Sequence, residues 1–492
     1  MRKLASTLLT AGLVLAAAAS RAESPAALDL PQIGEPADNS LSPHEEMALG
    51  SEVMGELFRS NYLLEDPELG DYAQTLGWKI SANSLIKPPQ ISIFVVNDER
   101  INAFALPGGF IGINAGLILA ASNESEIAGV LGHELAHVTQ RHIARSQEDT
   151  GVATMATWLA VIAAIIAGSA NPDVVIGALS LGQAINYQRQ VNYTRAHELE
   201  ADRIGIQTMA RAGYDPNSMA SFFVKLEQQS RLYGAGLPEI LRTHPLNTNR
   251  IAEARSRAGE MSRVKAPDNT EFQLMQARTR VLSADRPGEP LDYYSGQLAA
   301  GNNTPGNRYG LAMAQAALGD SVSAGATLKP LLDQFPRQET LNLLKGRLQL
   351  LAGENPAALA TFSRTLQLYP RSAPAILAYA DALMADHKPE DARQVLLSHE
   401  QALGTNLQTY NLLAQAAMEV GNTAEAAYQT ATFMFLRGDA GGALASLDAG
   451  LRLSSLTPQD RARLKAKRDE VRETLPANWR VPDGRERRAL GQ

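Results

Sequence analysis

The stretch Val130-Leu-Gly-His-Glu-Leu-Ala-His-Val-Thr-Gln-Arg-His142 holds three of the chain's eight histidines, and a glutamate, within thirteen residues. Residues four apart on a helix are offset by only about 40° around its axis, so His133 and His137 project from one face. Both imidazoles can then reach one ion. Glu134 sits beside them, close enough for its carboxylate to take a proton from a water at that ion. Two imidazole ligands with an adjacent base, spaced His-Glu-x-x-His, are what metal-dependent peptide hydrolysis uses. The flanks Ile127 to Leu131 and Leu135-Ala136 are apolar, which places the three groups on a buried helix. Burying two imidazoles and a carboxylate without partners is costly, and a bound cation removes that cost.

His142 lies five residues beyond His137, about 140° away round a continuing helix, and is expected to face away from the ion. The longer signature with a third His six residues after the second is not satisfied. Gln140 and Ile143 stand where Gly and His are required. A third ligand must therefore come from another segment, and the acid-rich helical run Arg195 to Gly205 is the best supplier. Glu198 and Asp202 share a face there, and Glu200 points elsewhere. Glu198 is favoured as the ligand, with His197 as the alternative. Asp202 is expected to orient a ligand imidazole or to assist proton transfer.

The elements that must hold these groups can be read along the chain. Ser42-Pro43 followed by acidic residues predicts a helix start, with Ser as N-cap and Pro in the first turn. Ile91 to Val96 and Ala103 to Asn114 read as extended, with Gly108-Gly109 marking a turn and an exposed edge strand after it. Asn123-x-x-Glu126 predicts a capping box that opens the histidine-bearing helix. Residues 152–170 carry no charge over 19 positions. Gly168, Ser169 and Asn171-Pro172 end that stretch early, which favours a helix packed on protein or touching the membrane surface over a true span.

Beyond residue 305 a 34-residue period emerges. Gly319, Gly353, His387 and Gly421 keep that spacing; Ala324, Ala358, Ala392 and Ala426 follow five residues later, and Ala312, Gly346, Ala380 and Ala414 precede by seven. Phe335-Pro336 and Tyr369-Pro370 repeat at the same interval. Small residues where two helices cross, and a proline that stops the second, indicate tetratricopeptide repeats. Such a solenoid presents a concave face to protein or peptide.

Met1-Arg2-Lys3, an apolar run over Leu4 to Ala19 and then Ser20-Arg21-Ala22 predict a signal peptide cleaved after about Ala22. Cleavage removes Arg2, Lys3 and Arg21 and takes the formal charge from −7 to −10. An acidic chain with 5% aromatic residues is not expected to bind nucleic acid. With no cysteine, the mature chain must be stable without disulfides.

Gly132-His-Glu-Leu-Ala-His137, with Glu198-Leu-Glu-Ala-Asp202 about sixty residues later, resembles the zinc metallopeptidases related to HtpX and the CAAX prenyl proteases. The resemblance extends to Asn97-Asp98, to Asn102-Ala-Phe-Ala-Leu-Pro-Gly-Gly109 and to Thr243-His-Pro-Leu-Asn-Thr-Asn-Arg250. It implies a gluzincin holding one Zn2+ per chain on His133, His137 and Glu198, with Glu134 activating the water and Asp202 also catalytic. His244 would be a regulatory fourth ligand, because a fourth imidazole closes the tetrahedron and excludes the nucleophile. Asn102, Phe104, Gly108 and Gly109 are substrate-binding candidates, an extended substrate pairing with the strand after Gly109.

Secreted members of the family with C-terminal repeats have a similar layout. That similarity implies a periplasmic protease and chaperone acting on unfolded or stalled outer-membrane proteins, with the repeats meeting the outer-membrane β-barrel assembly machinery. The expected fold is mainly α: a gluzincin-type metallopeptidase domain with a small β-sheet, then an α-solenoid of tetratricopeptide repeats. The expected boundaries are a signal peptide at 1–22, a lead-in at 23–41, the peptidase at 42–265, a helical linker at 266–304, the repeats at 305–475 and a tail at 476–492. The rival expectation is a non-proteolytic chaperone or scaffold with a structural zinc site. Glu134 argues against it, since a structural site has no use for a carboxylate there. A membrane-spanning protease would rest on 152–170 alone.

Overall fold

The computed structural model describes residues 41–148 (except 89), 195–233, 238, 240–241, 244–261 and 268–475. The expected signal peptide at 1–22, the apolar stretch 152–170 and the expected tail at 476–492 lie outside the described residues. Among the described residues no helix is long and apolar enough to cross a membrane.

Helix α1 (Pro43–Arg59) starts on a complete capping box: Glu45 N–H donates to Ser42 Oγ, and Ser42 N–H donates to the Glu45 carboxylate. Helix α2 (Pro67–Ala82) follows, capped by Asp66. Three short strands come next: β1 (Ser92–Val96), β2 (Ala103–Leu106) and β3 (Phe110–Asn114). Their order is β1-β3-β2, with β1 parallel and β2 antiparallel to β3. The strand after Gly109 is thus the centre of the sheet and not an exposed edge, a correction to the reading from its alternation. Gly108 and Gly109, at φ 80° and 83°, fold β2 tightly back onto β3, so that β2 takes the edge.

A short helix α3 (Ala115–Ala120) leads into α4 (Glu124–Thr139), which carries the His-Glu-x-x-His run, and then α5 (His142–Glu148). Only half of the expected capping box forms at α4. Asn123 Oδ1 accepts from Glu126 N–H, but the Glu126 carboxylate takes Ser122 N–H and pairs with Lys225. Helices α6 (Arg195–Arg211), α7 (Asn217–Tyr233) and α8 (Thr248–Glu260) complete the first half. Helices α4 and α6 meet backbone to backbone, where a Cβ on Gly132 would lie 2.9 Å from Gly205 O. That approach brings the acids of α6 up to the histidines of α4.

The remainder is a stack of helices: α9 (Thr270–Leu282), α10 (Gly288–Ala299), α11 (Pro305–Ala317), α12 (Ser321–Gln334), α13 (Glu339–Leu351), α14 (Asn355–Leu368), α15 (Ala373–Ala385), α16 (Pro389–Ser398), the one-turn α17 (Glu400–Leu403), α18 (Leu407–Glu419), α19 (Thr423–Leu436), α20 (Ala440–Leu451) and α21 (Pro458–Glu473). The period has a backbone cause. Gly319, Gly353, His387 and Gly421 all stand at positive φ just past the first helix of a pair, where the chain reverses. A side chain at Gly346 would strike the Phe362 ring of the partner helix. The stacking begins before residue 305: α9 and α10 both pack on α11, where the Tyr294 ring lies against Gly310.

The two halves share one apolar core, running from Leu69 of α2 through Ile111 and Leu131 to Tyr309 and Leu344. Three arginines of this helical stack grip the segment joining α1 to α2 and the first turn of α2. Arg278 donates to both Asp66 oxygens at 2.6 Å, Arg347 pairs with Glu68, and Arg437 forks onto Glu65. Beside this junction Glu271 accepts from Gln338 and from Thr340 Oγ, and burial, with Glu68 and Glu124 adding to it, pushes its pKa up to about 7. A carboxyl so raised keeps a proton that the unfolded chain has released, so its contribution is lost as pH rises from about 4.5 through 7. Glu271→Gln, neutral at every pH, is expected to melt above wild type at about pH 8, with the gap closing toward about pH 5. A pH-independent gap in paired melting curves would contradict this.

Candidate metal centre

His133 and His137, one turn apart on α4, point their Nε2 atoms inward, 3.0 Å from each other. Glu198 of α6 brings Oε2 to 3.6 Å from His133 Nε2 and Oε1 to 3.5 Å from His137 Nε2. His244, on the segment before α8, sets Nδ1 at 2.9 Å from Glu198 Oε1 and 3.3 Å from His133 Nε2. One ligand atom from each of these four residues lies within 4.8 Å of the other three, and all four residues are buried. Ring nitrogens facing one another this closely, with a carboxylate among them, suit a shared divalent cation better than a shared proton.

Glu134 is fully buried, and beyond a weak approach from the Ala105 backbone its carboxylate oxygens have no hydrogen-bond donor among the described residues. His244 Nε2 lies 3.6 Å from Oε1. Burial drives the Glu134 pKa up, only partly opposed by His244 and His133. Burial, reinforced by His133, drives the His137 pKa well down and keeps that ring neutral, as a ligand must be. At His244 burial works downward, but Glu198 and Glu134 outweigh it and the pKa is raised.

Around this cluster stand residues whose importance the sequence did not disclose. Arg250, in the first turn of α8, donates through Nε and Nη2 to the two Asp202 oxygens at 2.7 and 2.8 Å. Its Nη1 reaches Glu198 Oε2 at 2.6 Å and Pro245 O at 3.0 Å. One guanidinium thus pins two acids of α6 and the His244 segment together. Two acids buried four residues apart require a nearby cation, and that was the available signal. Asp202 Oδ1 also sits 2.9 Å from His133 Nδ1.

His142 stays out of the four-residue cluster, as its spacing predicts, but for a different reason. Helix α4 does not continue past Thr139: Gln140 caps it, and Arg141 turns the chain at φ 50°. The angle computed for an unbroken helix therefore does not apply. His142 is buried, with Nδ1 at 2.8 Å from His137 Nδ1 and Nε2 at 3.2 Å from Glu200 Oε2. His197 belongs to the same layer, stacked on His142 at 4.3 Å between ring centroids, and is outside the four-residue cluster.

Of the substrate-binding candidates, Asn102 is buried beside β2, and Phe104 lays its ring over Gly112. Gly108 and Gly109 face the backbone of α1 and Gln90, too closely for any side chain. These four residues shape the β2 edge and its turn rather than line an open cleft.

Residues 70–258 match peptidase family M48, a range that contains every residue of this cluster. The chain is 33% identical over 483 residues to the β-barrel assembly-enhancing protease of Yersinia pestis, covering 95% of this chain and 97% of that one. It is 32% identical over 451 residues to the β-barrel assembly-enhancing protease of Escherichia coli strain K12, covering 90% and 91%. Over 222 residues, 44% of this chain and 42% of the relative, it is 29% identical to the mitochondrial metalloendopeptidase OMA1 of Arabidopsis thaliana.

Proposed function

The chain belongs to peptidase family M48, among the β-barrel assembly-enhancing proteases, and from that premise we propose a periplasmic zinc endopeptidase that cuts misfolded or stalled outer-membrane proteins. The observation that carries the site assignment is the buried cluster of His133, His137, Glu198 and His244, with the unsatisfied Glu134 carboxylate beside it. In this reading His133, His137 and Glu198 hold the zinc. Zinc, when bound, supplies Lewis acidity toward the scissile carbonyl and toward water.

The chain's own residues do the rest. Glu134, free of side-chain hydrogen bonds and raised in pKa by burial, takes the proton of the attacking water and returns it to the leaving amine. Asp202, held by Arg250, orients His133. His244 would serve as a fourth ligand and a brake, since its ring lies against His133 and Glu198 and a fourth imidazole would exclude the nucleophile. An extended substrate adds to the β2 edge through its backbone, with Asn102 and Phe104 setting the shape of that strand and Gly108 and Gly109 its turn.

The solenoid, taken as 305–475 after a peptidase domain at 42–265, recruits the client chains and the β-barrel assembly machinery and lends a chaperone-like hold. Residues 152–170 would make any membrane contact. Metal removal tests the activity. Treating the full chain with a chelator is expected to stop hydrolysis of unfolded casein, and stoichiometric zinc to restore it. Hydrolysis that survives complete metal removal would defeat the proposal.

A further inference from the structure

His142 and Glu200 lie just outside the cluster, and their hydrogen-bonding capacities fix a direction. An ionised carboxylate only accepts, so the contact between His142 Nε2 and Glu200 Oε2 at 3.2 Å places the proton on that nitrogen. A neutral imidazole with Nε2–H offers a lone pair at Nδ1. His137 Nδ1, 2.8 Å away, must then be the N–H donor, because the other assignment sets two lone pairs face to face. What is left on His137 is a lone pair at Nε2, aimed into the cluster.

We propose that His142 and Glu200 form a positioning relay that fixes the tautomer and ring orientation of His137, as Asp202 does directly for His133. This rests on the metal-centre reading above. The relay is held in place from several sides. His197 stacks on His142 with planes 13° apart, and Arg145 Nη1 meets the same Glu200 oxygen at 3.3 Å. The turn that delivers His142 needs a left-handed, non-glycine Arg141, a conformation that costs free energy. Its guanidinium anchors that turn on Glu46 Oε1 and on Leu41 O at 2.6 Å. Glu200 is on α6, two residues from Glu198 and from Asp202 and so on a different face of the helix, and reaches the site through the interposed ring. A carboxylate that contacts the ligand directly serves one histidine, and a carboxylate with an imidazole spacer serves the other.

Two readouts on the full-length chain test this. In zinc-free protein labelled with 15N-histidine, His137 is expected as the Nδ1–H tautomer in wild type and as a tautomer mixture in His142→Leu. In competition with a chromophoric chelator, His142→Leu is expected to lose roughly 10–100-fold in zinc affinity. His142→Gln, whose amide both accepts and donates, should recover most of it, a rescue that mere packing would not predict. Glu200→Leu, at a partly exposed position, is expected to weaken binding in the same direction and decides the matter should His142→Leu fail to fold. Wild-type zinc affinity and an unchanged His137 tautomer in folded His142→Leu or Glu200→Leu would overturn the relay. Failure of wild type to bind zinc would instead overturn the metal centre, while the tautomer in the metal-free chain still decides whether the relay exists.

Discussion

Glu134→Gln is expected to lower peptide hydrolysis by roughly 10²- to 10⁴-fold while the protein still folds and still takes up one zinc. The glutamine keeps the shape of the side chain but cannot take a proton. Glu134 is not among the four clustered ligands, so metal uptake should not depend on it. Its carboxylate is buried with no side-chain donor on either oxygen, and such a charge is unfavourable in the resting fold. The variant should therefore melt no lower than wild type. Casein hydrolysis, zinc content and melting temperature measured together check all three expectations. Equal hydrolysis rates for variant and wild type would assign the chain to the rival reading, a scaffold with a structural zinc.

His244→Ala is expected to act in the opposite direction and raise hydrolysis. In the structure the His244 ring touches both His133 and Glu198, which the proposed reading takes as the braked arrangement. An open form populated at about 1–10% limits turnover by that fraction, and removing the imidazole should recover roughly 10- to 100-fold. Three ligands remain, enough for a catalytic zinc. Arg250 still ties the Pro245 carbonyl to Asp202 and Glu198, so the segment keeps its anchor and the change isolates the ring. Initial rates on unfolded casein at equal zinc occupancy check this. Lower activity with zinc intact would mean that His244 assists the reaction instead of blocking it.

Local signals determined much of this protein. Ser42 with Glu45 is a helix start wherever it folds, because the capping box closes within four residues. The spacing of His133 and His137 places them on one helix face by the geometry of the turn alone. Gly319, Gly353 and Gly421 mark reversals because only a residue free to take positive φ ends those helices cheaply, and His387 shows that the rule tolerates an exception. These features depend on backbone stereochemistry, which the sequence carries in full.

Other features were decided only by tertiary structure. The alternation after Gly109 reads alike for an edge and a central strand, and only the pairing of β3 with both β1 and β2 puts it at the centre. His142 came to rest against the outer nitrogen of His137 because Arg141 is tied to Glu46 and to Leu41 O, about a hundred residues upstream. Arg250 became the hinge of the site because two buried acids from another helix needed its charge. Gly132 and Gly205, unremarkable in sequence, let two backbones touch and set the distance between ligands. The sequence by itself determined which residues could bind a metal; long-range packing and charge compensation decided which of them meet and what orients each one.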